Sequence, residues 1–185
     1  MKKIEEILET TVEYLNREEI DYVFVGGIAV IVYGNPRTTV GLDLVVRLDE
    51  KEIEDFAAHL QNEGFFSHPE DMKLAFREKT HFSAEEKDSL FRLDIKGVYE
   101  RKEKITLENR KKIEYDGITM YVASPEDTIA NKLYYGSEQG VEDAEGIYVR
   151  QEGELDQEYL EERCEALGVQ EKLKEMEKEV EELID

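Results

Sequence analysis

Two consecutive glycines, Gly26 and Gly27, lie where a strand pattern gives way to a helix pattern. The preceding DYVFV is rich in β-branched and aromatic residues, which predicts a buried strand, and IAVIVYG then predicts a short buried helix. Glycines at such a turn leave backbone N–H groups open, and the helix that follows offers its positive end. This arrangement can bind phosphate. A glycine pair alone is weak support, because many strand-to-helix turns carry one.

A second chemical signal is Asp43, whose carboxylate lies within the apolar strand pattern LDLVV. An Arg-Thr-Thr segment, residues 37–39, leads into this strand. A carboxylate that is buried and unpaired in a strand is strongly unfavourable. Two interpretations remain open: the side chain faces a cation at the strand edge, or it is a strand-end aspartate that hydrogen-bonds to a helix.

This segment resembles the nucleotidyltransferase superfamily of the DNA polymerase beta type. The family motif is a GG or GS turn, a short helix, and a strand with two acids one residue apart, followed by a third acid on a later strand. The sequence most resembles the small stand-alone enzymes of the minimal and abortive-infection toxin–antitoxin kind. Their pattern matches Gly26, Gly27, Arg37 and Thr39, and the resemblance extends over residues 20–150.

The resemblance implies roles for residues further along the chain. It makes Asp43 the second metal-binding carboxylate and Asp94 the third, since Mg²⁺ (or Mn²⁺) takes oxygen ligands and offsets charge on a transferring phosphoryl group. It also implies that Lys132 reaches nucleotide phosphates and that Asp143 lies at the edge of the cleft. The catalytic candidates are Asp43, Asp94 and Lys132, and the nucleotide-binding candidates are Gly26, Gly27, Arg37, Thr39, Lys132 and Asp143.

The sequence departs from the family at Gly41, where the first acid should lie on the same strand face as Asp43. Three explanations remain open: a homologue that binds nucleotide without transferring it, recruitment of a neighbouring acid or water, or an altered residue at this position. Gly146 is a second departure, because related sequences tend to carry Asp there.

Two functions follow from the resemblance and its departure. The first is Mg²⁺-dependent transfer of a nucleoside monophosphate from a nucleoside triphosphate to an unknown acceptor, weakened by Gly41. The second is a non-catalytic module that binds nucleotide or a protein partner, such as an antitoxin.

The elements that must position these residues follow from the periodicity of the chain. Residues 2–18 have the apolar spacing of an amphipathic helix, and Asp49 begins a helix that extends to Gly64. The segment SLFRLDIKGV predicts a strand whose alternation puts Arg92, Asp94 and Lys96 on one face. The segment KKIEYDGITMYVA predicts a hairpin, whereas the charge runs EEKD and RKEK predict solvated loops.

The chain after Ser124 has helical patterns throughout. The predicted fold class is therefore α/β (α+β), a nucleotidyltransferase-like mixed β-sheet flanked by helices. We expect an α/β core over residues 1–123 and a helical region over residues 124–185 that packs on it.

Composition limits the partners and the compartment. The formal net charge of the 185 residues is -22, which argues against direct binding to nucleic acid and suits either solubility or docking to a basic protein. The single cysteine, Cys164, excludes an internal disulfide and fits a helix core in a reducing cytoplasm. The N-terminal segment lacks the apolar stretch of a signal peptide, and no later segment predicts a membrane span.

Overall fold

The computed structural model of the protein describes residues 3–184. The described chain forms helices and strands in the following order: α1 Ile4–Arg17, β1 Tyr22–Val25, α2 Gly26–Tyr33, β2 Gly41–Val46, α3 Glu50–Asn62, β3 Phe65–Phe66, α4 Pro69–Arg77, β4 His81–Glu86, β5 Arg92–Gly97, α5 Arg101–Glu108, β6 Lys111–Tyr115, β7 Ile118–Val122, α6 Pro125–Tyr135, α7 Glu138–Arg150, α8 Gln157–Ala166 and α9 Gln170–Ile184.

All of these strands join one mixed sheet in the order β3-β4-β5-β2-β1-β7-β6. The pairs β2–β5 and β1–β7 are parallel, and the other neighbours are antiparallel. The predicted fold class, a mixed sheet flanked by helices, is therefore confirmed. None of the helices in residues 3–184 is both long and apolar enough to cross a membrane.

The chain divides into two compact units. The first unit extends to Ile28 and resumes over Thr38–Val122, so it holds the whole sheet; the second combines Ala29–Arg37 with the chain after Val122. Residues 29–37 group with the later helices because their backbone and side chains are bonded there. The Tyr33 carbonyl accepts a hydrogen bond from Gln151 Nε2 at 3.0 Å, and Asn35 Oδ1 accepts one from Arg150 Nε at 2.9 Å.

The core of the first unit explains why β2 and β5 have one polar face. Leu42 and Leu44 on β2, and Leu93 and Ile95 on β5, are all completely buried or nearly so. Side chains alternate along a strand, so the intervening residues of both strands share the opposite face. That face carries Asp43 on β2 and the charged residues Arg92, Asp94 and Lys96 on β5.

The prediction of a solvated loop at RKEK was wrong, because these residues begin α5. Glu103 from this run is buried and accepts a hydrogen bond from Lys96 Nζ at 2.6 Å, while Leu107 is completely buried. A helix that buries only one face needs only a few apolar residues. The run of charged residues therefore gave no apolar periodicity from which α5 could be predicted.

In the second unit, α6 begins as predicted with a capping residue followed by proline. Ser124 Oγ accepts a hydrogen bond from the Asp127 N–H at 3.0 Å. The Asp127 carboxylate is completely buried and pairs with Arg163 Nε at 2.5 Å. Cys164 is also buried, and burial raises the pKa of its thiol to about 11, which fits a core residue rather than a nucleophile.

Candidate functional site

The glycine turn lies where β1 passes directly into α2, at Gly26. Gly26 has a φ of +59°, in the left-handed region that L residues with side chains rarely adopt. A β-carbon at this position would also overlap Asp43 Oδ2 and lie 2.9 Å from Asp43 Cγ. Gly26 is therefore required both by its backbone conformation and by the closeness of the carboxylate. Gly27, the next residue, is buried in the first turn of α2.

Asp43 and Asp94 lie side by side on the neighbouring parallel strands β2 and β5. The register pairs their Cα atoms directly, so both carboxylates lie on the same face of the sheet. The structure thus brings together Gly26, Asp43 and Asp94, three of the residues singled out from the sequence. Parallel strands from distant parts of a chain meet only through the tertiary fold, which is why this register could not be derived from spacing.

Both oxygens of Asp94 accept hydrogen bonds within the first unit. Ser83 Oγ, on β4, donates to Oδ1 at 2.5 Å, and Arg92 Nε donates to Oδ2 at 2.9 Å. The hydrogen bond to Asp94 raises the pKa of Arg92, and the charge of Asp43 adds to this effect. Our sequence reasoning assigned no role to Arg92 or Ser83. The alternation of β5 was the available signal for Arg92, because it put this side chain beside Asp94.

The first residue of β2, Gly41, is buried and pairs in register with Arg92. A β-carbon at position 41 would lie 3.1 Å from Asp94 Oδ2 and 3.7 Å from Arg92 Nη2. Thr39 Oγ1 donates to the Gly41 carbonyl at 2.8 Å. Thr39 therefore fixes the backbone that enters β2, and its hydroxyl is engaged with that backbone.

This arrangement does not fit a divalent ion as it stands. Mg²⁺ prefers an octahedral set of oxygen ligands, for which carboxylates are the protein's main donors. Position 41 contributes no carboxylate, and the two Asp94 oxygens accept hydrogen bonds from Ser83 and Arg92. Within residues 3–184, no cluster of three or more His, Cys, Asp or Glu side chains could hold a metal ion.

The second unit has its own cluster of predicted site residues, formed by Arg37, Lys132 and Asp143. Lys132 Nζ donates to Asp143 Oδ2 at 2.7 Å, and Arg37 Nη2 lies 3.7 Å from the same oxygen. The Asp143 side chain is only 4% exposed, whereas Arg37 is 31% exposed. Two cations thus share one buried carboxylate, which leaves this cluster with a net positive charge in a very acidic chain.

The Arg37 side chain has one donor that is not used within the described residues. Its Nε atom is buried and has no hydrogen-bond partner among the described residues. Buried donors without a partner are unfavourable, and the planar guanidinium group matches the oxygens of phosphate or carboxylate.

The packing around position 146 explains why a glycine is found there. A β-carbon there would come within 2.6 Å of Asn35 Nδ2. Asn35 in turn accepts a hydrogen bond from Arg150, the last residue of α7. Gly146 therefore makes room for the side chain that ties residues 29–37 to this helix.

The first unit also contains a cavity of about 480 Å³, lined by residues near the ends of β2 and β5 and by α4. Its polar and aromatic lining includes Arg47, Lys73, Phe76, Arg77 and Tyr99. None of the predicted site residues lines it. This cavity is therefore separate from the predicted site residues.

A family model described as nucleotidyltransferase of unknown function (DUF6036) matches residues 2–183, which is nearly the whole chain. A sequence search of curated proteins finds no match. The superfamily inferred from the motif is confirmed by this match, whereas the toxin–antitoxin branch stays a prediction.

Solved structures with the same fold come from several distant proteins. An antigenic nucleotidyltransferase-like protein from Paracoccidioides brasiliensis is 17% identical, with a TM-score of 0.56 over 95% of this chain and 91% of that chain. The antibiotic-resistance factor ANT(2'')-Ia is 14% identical, with a TM-score of 0.58 over 94% and 96%. The lincosamide antibiotic adenylyltransferase LnuA is 13% identical, with a TM-score of 0.56 over 78% and 96%. At these identities the likenesses establish the fold.

Proposed function

The chain belongs to the family of nucleotidyltransferases of unknown function (DUF6036), and on this premise we propose that it binds a nucleoside triphosphate but transfers its nucleoside monophosphate only weakly. One observation carries the proposal: Asp43 lies in register with Asp94 and directly beside Gly26. In a complete site of this kind, carboxylates beside a phosphate-binding turn would hold the divalent ion that offsets charge during such a transfer.

The glycine turn supplies the phosphate-binding part of the proposal. The first N–H groups of a helix have no partner within the helix, and the helix dipole favours an anion at this end. In α2 these groups begin at Gly26, which has no side chain of its own and against which the Asp43 carboxylate lies. Phosphate oxygens can therefore accept hydrogen bonds from the backbone of Gly26 and Gly27.

The weak transfer follows from what surrounds the carboxylates. Phosphoryl transfer depends on positioning and on positive charge that offsets the developing negative charge. The Mg²⁺ or Mn²⁺ dependence implied by the sequence would rest on Asp43 and Asp94, but Gly41 contributes no ligand and Arg92 already engages Asp94. We therefore expect the rate to be lower by orders of magnitude than with a complete carboxylate set, without any loss of folding.

For the second unit, we propose that Arg37 and Lys132 bind phosphate oxygens. Two observations support this proposal. Both cations pair with the buried carboxylate of Asp143, and Arg37 Nε has no hydrogen-bond partner among the described residues. Asp143 orients both cations and keeps them in place before a ligand arrives. This makes Asp143 a positioning residue within the proposal.

The alternative is a module without catalysis that binds nucleotide or a basic protein, as an antitoxin would. Gly41 and the Arg92–Asp94 pair favour the loss of catalysis. The net charge of -22 favours a basic protein as the partner.

A binding and turnover assay separates these functions. ATP is the first nucleotide to test, because LnuA is described as an adenylyltransferase; the other nucleoside triphosphates follow, each with Mg²⁺ and with Mn²⁺. Binding with slow pyrophosphate release supports the weak enzyme, and binding without release supports the non-catalytic module. Absence of binding to every nucleotide would overturn both nucleotide-based functions.

A matched pair of variants tests whether the proposed site is responsible. Asp43→Asn changes the carboxylate beside Gly26, and Asp71→Asn makes the same change on the exposed surface of α4. We expect only Asp43→Asn to alter nucleotide affinity or turnover.

A further inference from the structure

The space that Gly41 leaves beside the carboxylate pair is bordered by the guanidinium group of Arg92. The two residues pair in register on β2 and β5, so both belong to the face that carries Asp43 and Asp94. From the position of a β-carbon at residue 41, Arg92 Nη2 is 3.7 Å and Arg92 Nε is 3.8 Å away. The nearest atom is Asp94 Oδ2, at 3.1 Å, so a carboxylate on residue 41 would lie beside both the Asp94 carboxylate and the Arg92 guanidinium group.

Arg92 also changes the charge of this face. Two carboxylates attract a divalent cation most strongly when no fixed cation lies between them and the ion. Here Arg92 donates to Asp94 at 2.9 Å, and Asp43 is the register partner of Asp94 on the neighbouring strand. The resident guanidinium thus offsets part of the negative charge that would recruit a metal ion.

We propose that Arg92 takes the place of a divalent ion at Asp43 and Asp94, so that nucleotide binding at the glycine turn does not require Mg²⁺. The nucleotide part of this proposal rests on the proposed function. The claim about the carboxylate pair does not, because metal binding can be measured without any nucleotide.

The chemistry of arginine suits binding better than transfer. A guanidinium group has several N–H donors in a planar fork, and Arg92 uses its Nε–H for Asp94. Its side chain is 46% exposed, so the group is open to a ligand. Arginine remains protonated and cannot activate an attacking hydroxyl as a metal ion does, which agrees with weak transfer.

The proposal makes a specific prediction about restoring the missing acid. An aspartate at position 41 would form an ion pair with Arg92 rather than complete a metal site. A divalent ion would bind well only after two changes, Gly41→Asp together with Arg92→Gln.

Mn²⁺ binding, measured by electron paramagnetic resonance, tests this directly on four proteins: the natural chain, Gly41→Asp, Arg92→Gln and the double variant. Arg47→Gln is the matched control, because Arg47 pairs with Asp21 in the same unit and is 50% exposed. We expect weak binding by the natural chain, Gly41→Asp and the control, stronger binding by Arg92→Gln, and a gain of at least about tenfold in the double variant. Arg92→Gln alone keeps the test decisive if the contact at residue 41 prevents folding of the other variants.

Two results of the metal titration would overturn the proposal. One is stoichiometric Mn²⁺ binding by the natural chain that disappears in Asp43→Asn. The other is Gly41→Asp alone binding Mn²⁺ as tightly as the double variant.

A second experiment tests the nucleotide part of the proposal by comparing the ATP affinity of the natural chain in buffer with EDTA and in buffer with Mg²⁺. We expect similar affinity in the two buffers, a loss of about tenfold in Arg92→Gln, and partial rescue by Arg92→Lys. ATP binding that vanishes in EDTA contradicts the proposal but leaves the proposed function standing. If no protein binds ATP in either buffer, the proposed function fails, and the Mn²⁺ titration still decides whether Arg92 replaces the metal ion.

Discussion

Gly26 and Asp43 approach each other so closely that position 26 has no room for a side chain. The contact joins the turn after β1 to the middle of β2, and it sets the Asp43 carboxylate beside the residue at which α2 begins. The pair therefore places a negative group next to a turn suited to an anion. The repulsion between this carboxylate and a bound phosphate would be offset by a cation, and Arg92 supplies a fixed positive charge on the same face.

Replacement of this glycine should destabilise the first unit. Gly26→Ala adds left-handed strain and an overlap with Asp43, so we expect a loss of about 3 kcal/mol in the free energy of unfolding. Gly117→Ala is the control, because Gly117 also has a positive φ, of 81°, but nothing lies within 4 Å of the added carbon. We expect about 1 kcal/mol for the control in urea unfolding. Equal losses would show that the contact with Asp43 is unimportant.

Breaking the buried ion pair between Asp127 on α6 and Arg163 on α8 should cost more stability than breaking the Lys132–Asp143 pair. Arg163→Met leaves the completely buried Asp127 with hydroxyl partners such as Tyr159, at 3.0 Å, and we expect a loss of about 3–5 kcal/mol. The measurement is urea unfolding with the change followed by circular dichroism. A loss below 1 kcal/mol would mean that Asp127 is stabilised mainly by its hydroxyl neighbours.

Removing one of the two cations that pair with Asp143 on α7 should lower the free energy of unfolding less than removing both. Lys132→Met leaves Asp143 with Arg37 at 3.7 Å, so we expect a smaller loss, about 1–2 kcal/mol. Lys132→Met together with Arg37→Met should destabilise by more than the two single changes added, because the last cation is then removed. Strict additivity in the double-mutant cycle would show that the cations act independently.

The stability of the helical unit should increase when Glu145 loses its charge. Burial raises the pKa of Glu145, and the charges of Glu179 and Glu142 add to this. Because the folded-state pKa lies above the unfolded one, the ionised form is penalised in the fold, and stability falls as pH rises through the range above 4.5. Glu145→Gln should therefore gain a few tenths of a kcal/mol at pH 7 and nothing below pH 4.

The matched control for this pH dependence is Glu175→Gln on the exposed side of α9. We expect its unfolding free energy to follow that of the natural chain at both pH values. A gain at pH 4 as large as that at pH 7 would contradict the assignment to ionisation of Glu145.

Local patterns were sufficient for most of the elements around the candidate site. The glycine pair after an apolar strand indicated the β1–α2 turn, and strand alternation put Arg92 and Asp94 on one face. The Ser124 cap likewise identified the start of α6. These signals depend on residues within a few positions of each other, which is why periodicity and capping rules detect them.

Long-range pairings could not be derived from local patterns, and only the family resemblance implied that residues such as Asp43 and Asp94 belong to one site. The register of Asp43 with Asp94 depends on a parallel pairing across 51 positions, and the contact of Arg37 with Asp143 joins residues that lie still further apart. The assignment of residues 29–37 to the helical unit depends on Asn35 and its partner Arg150. The role of Arg92 was missed because its significance comes from Gly41, on a different strand.

The most direct test of the central claim, that the glycine turn binds nucleotide phosphate, is an ATP titration of the ¹⁵N-labelled protein followed by NMR. We expect the backbone amide signals of Gly26 and Gly27 to shift early and to saturate together, because they would donate to phosphate oxygens. AMP, which has a single phosphate, should shift the same signals less. The claim would be contradicted if ATP left both glycine signals unchanged, or if its shifts were confined to the cavity lined by Phe76 and Tyr99.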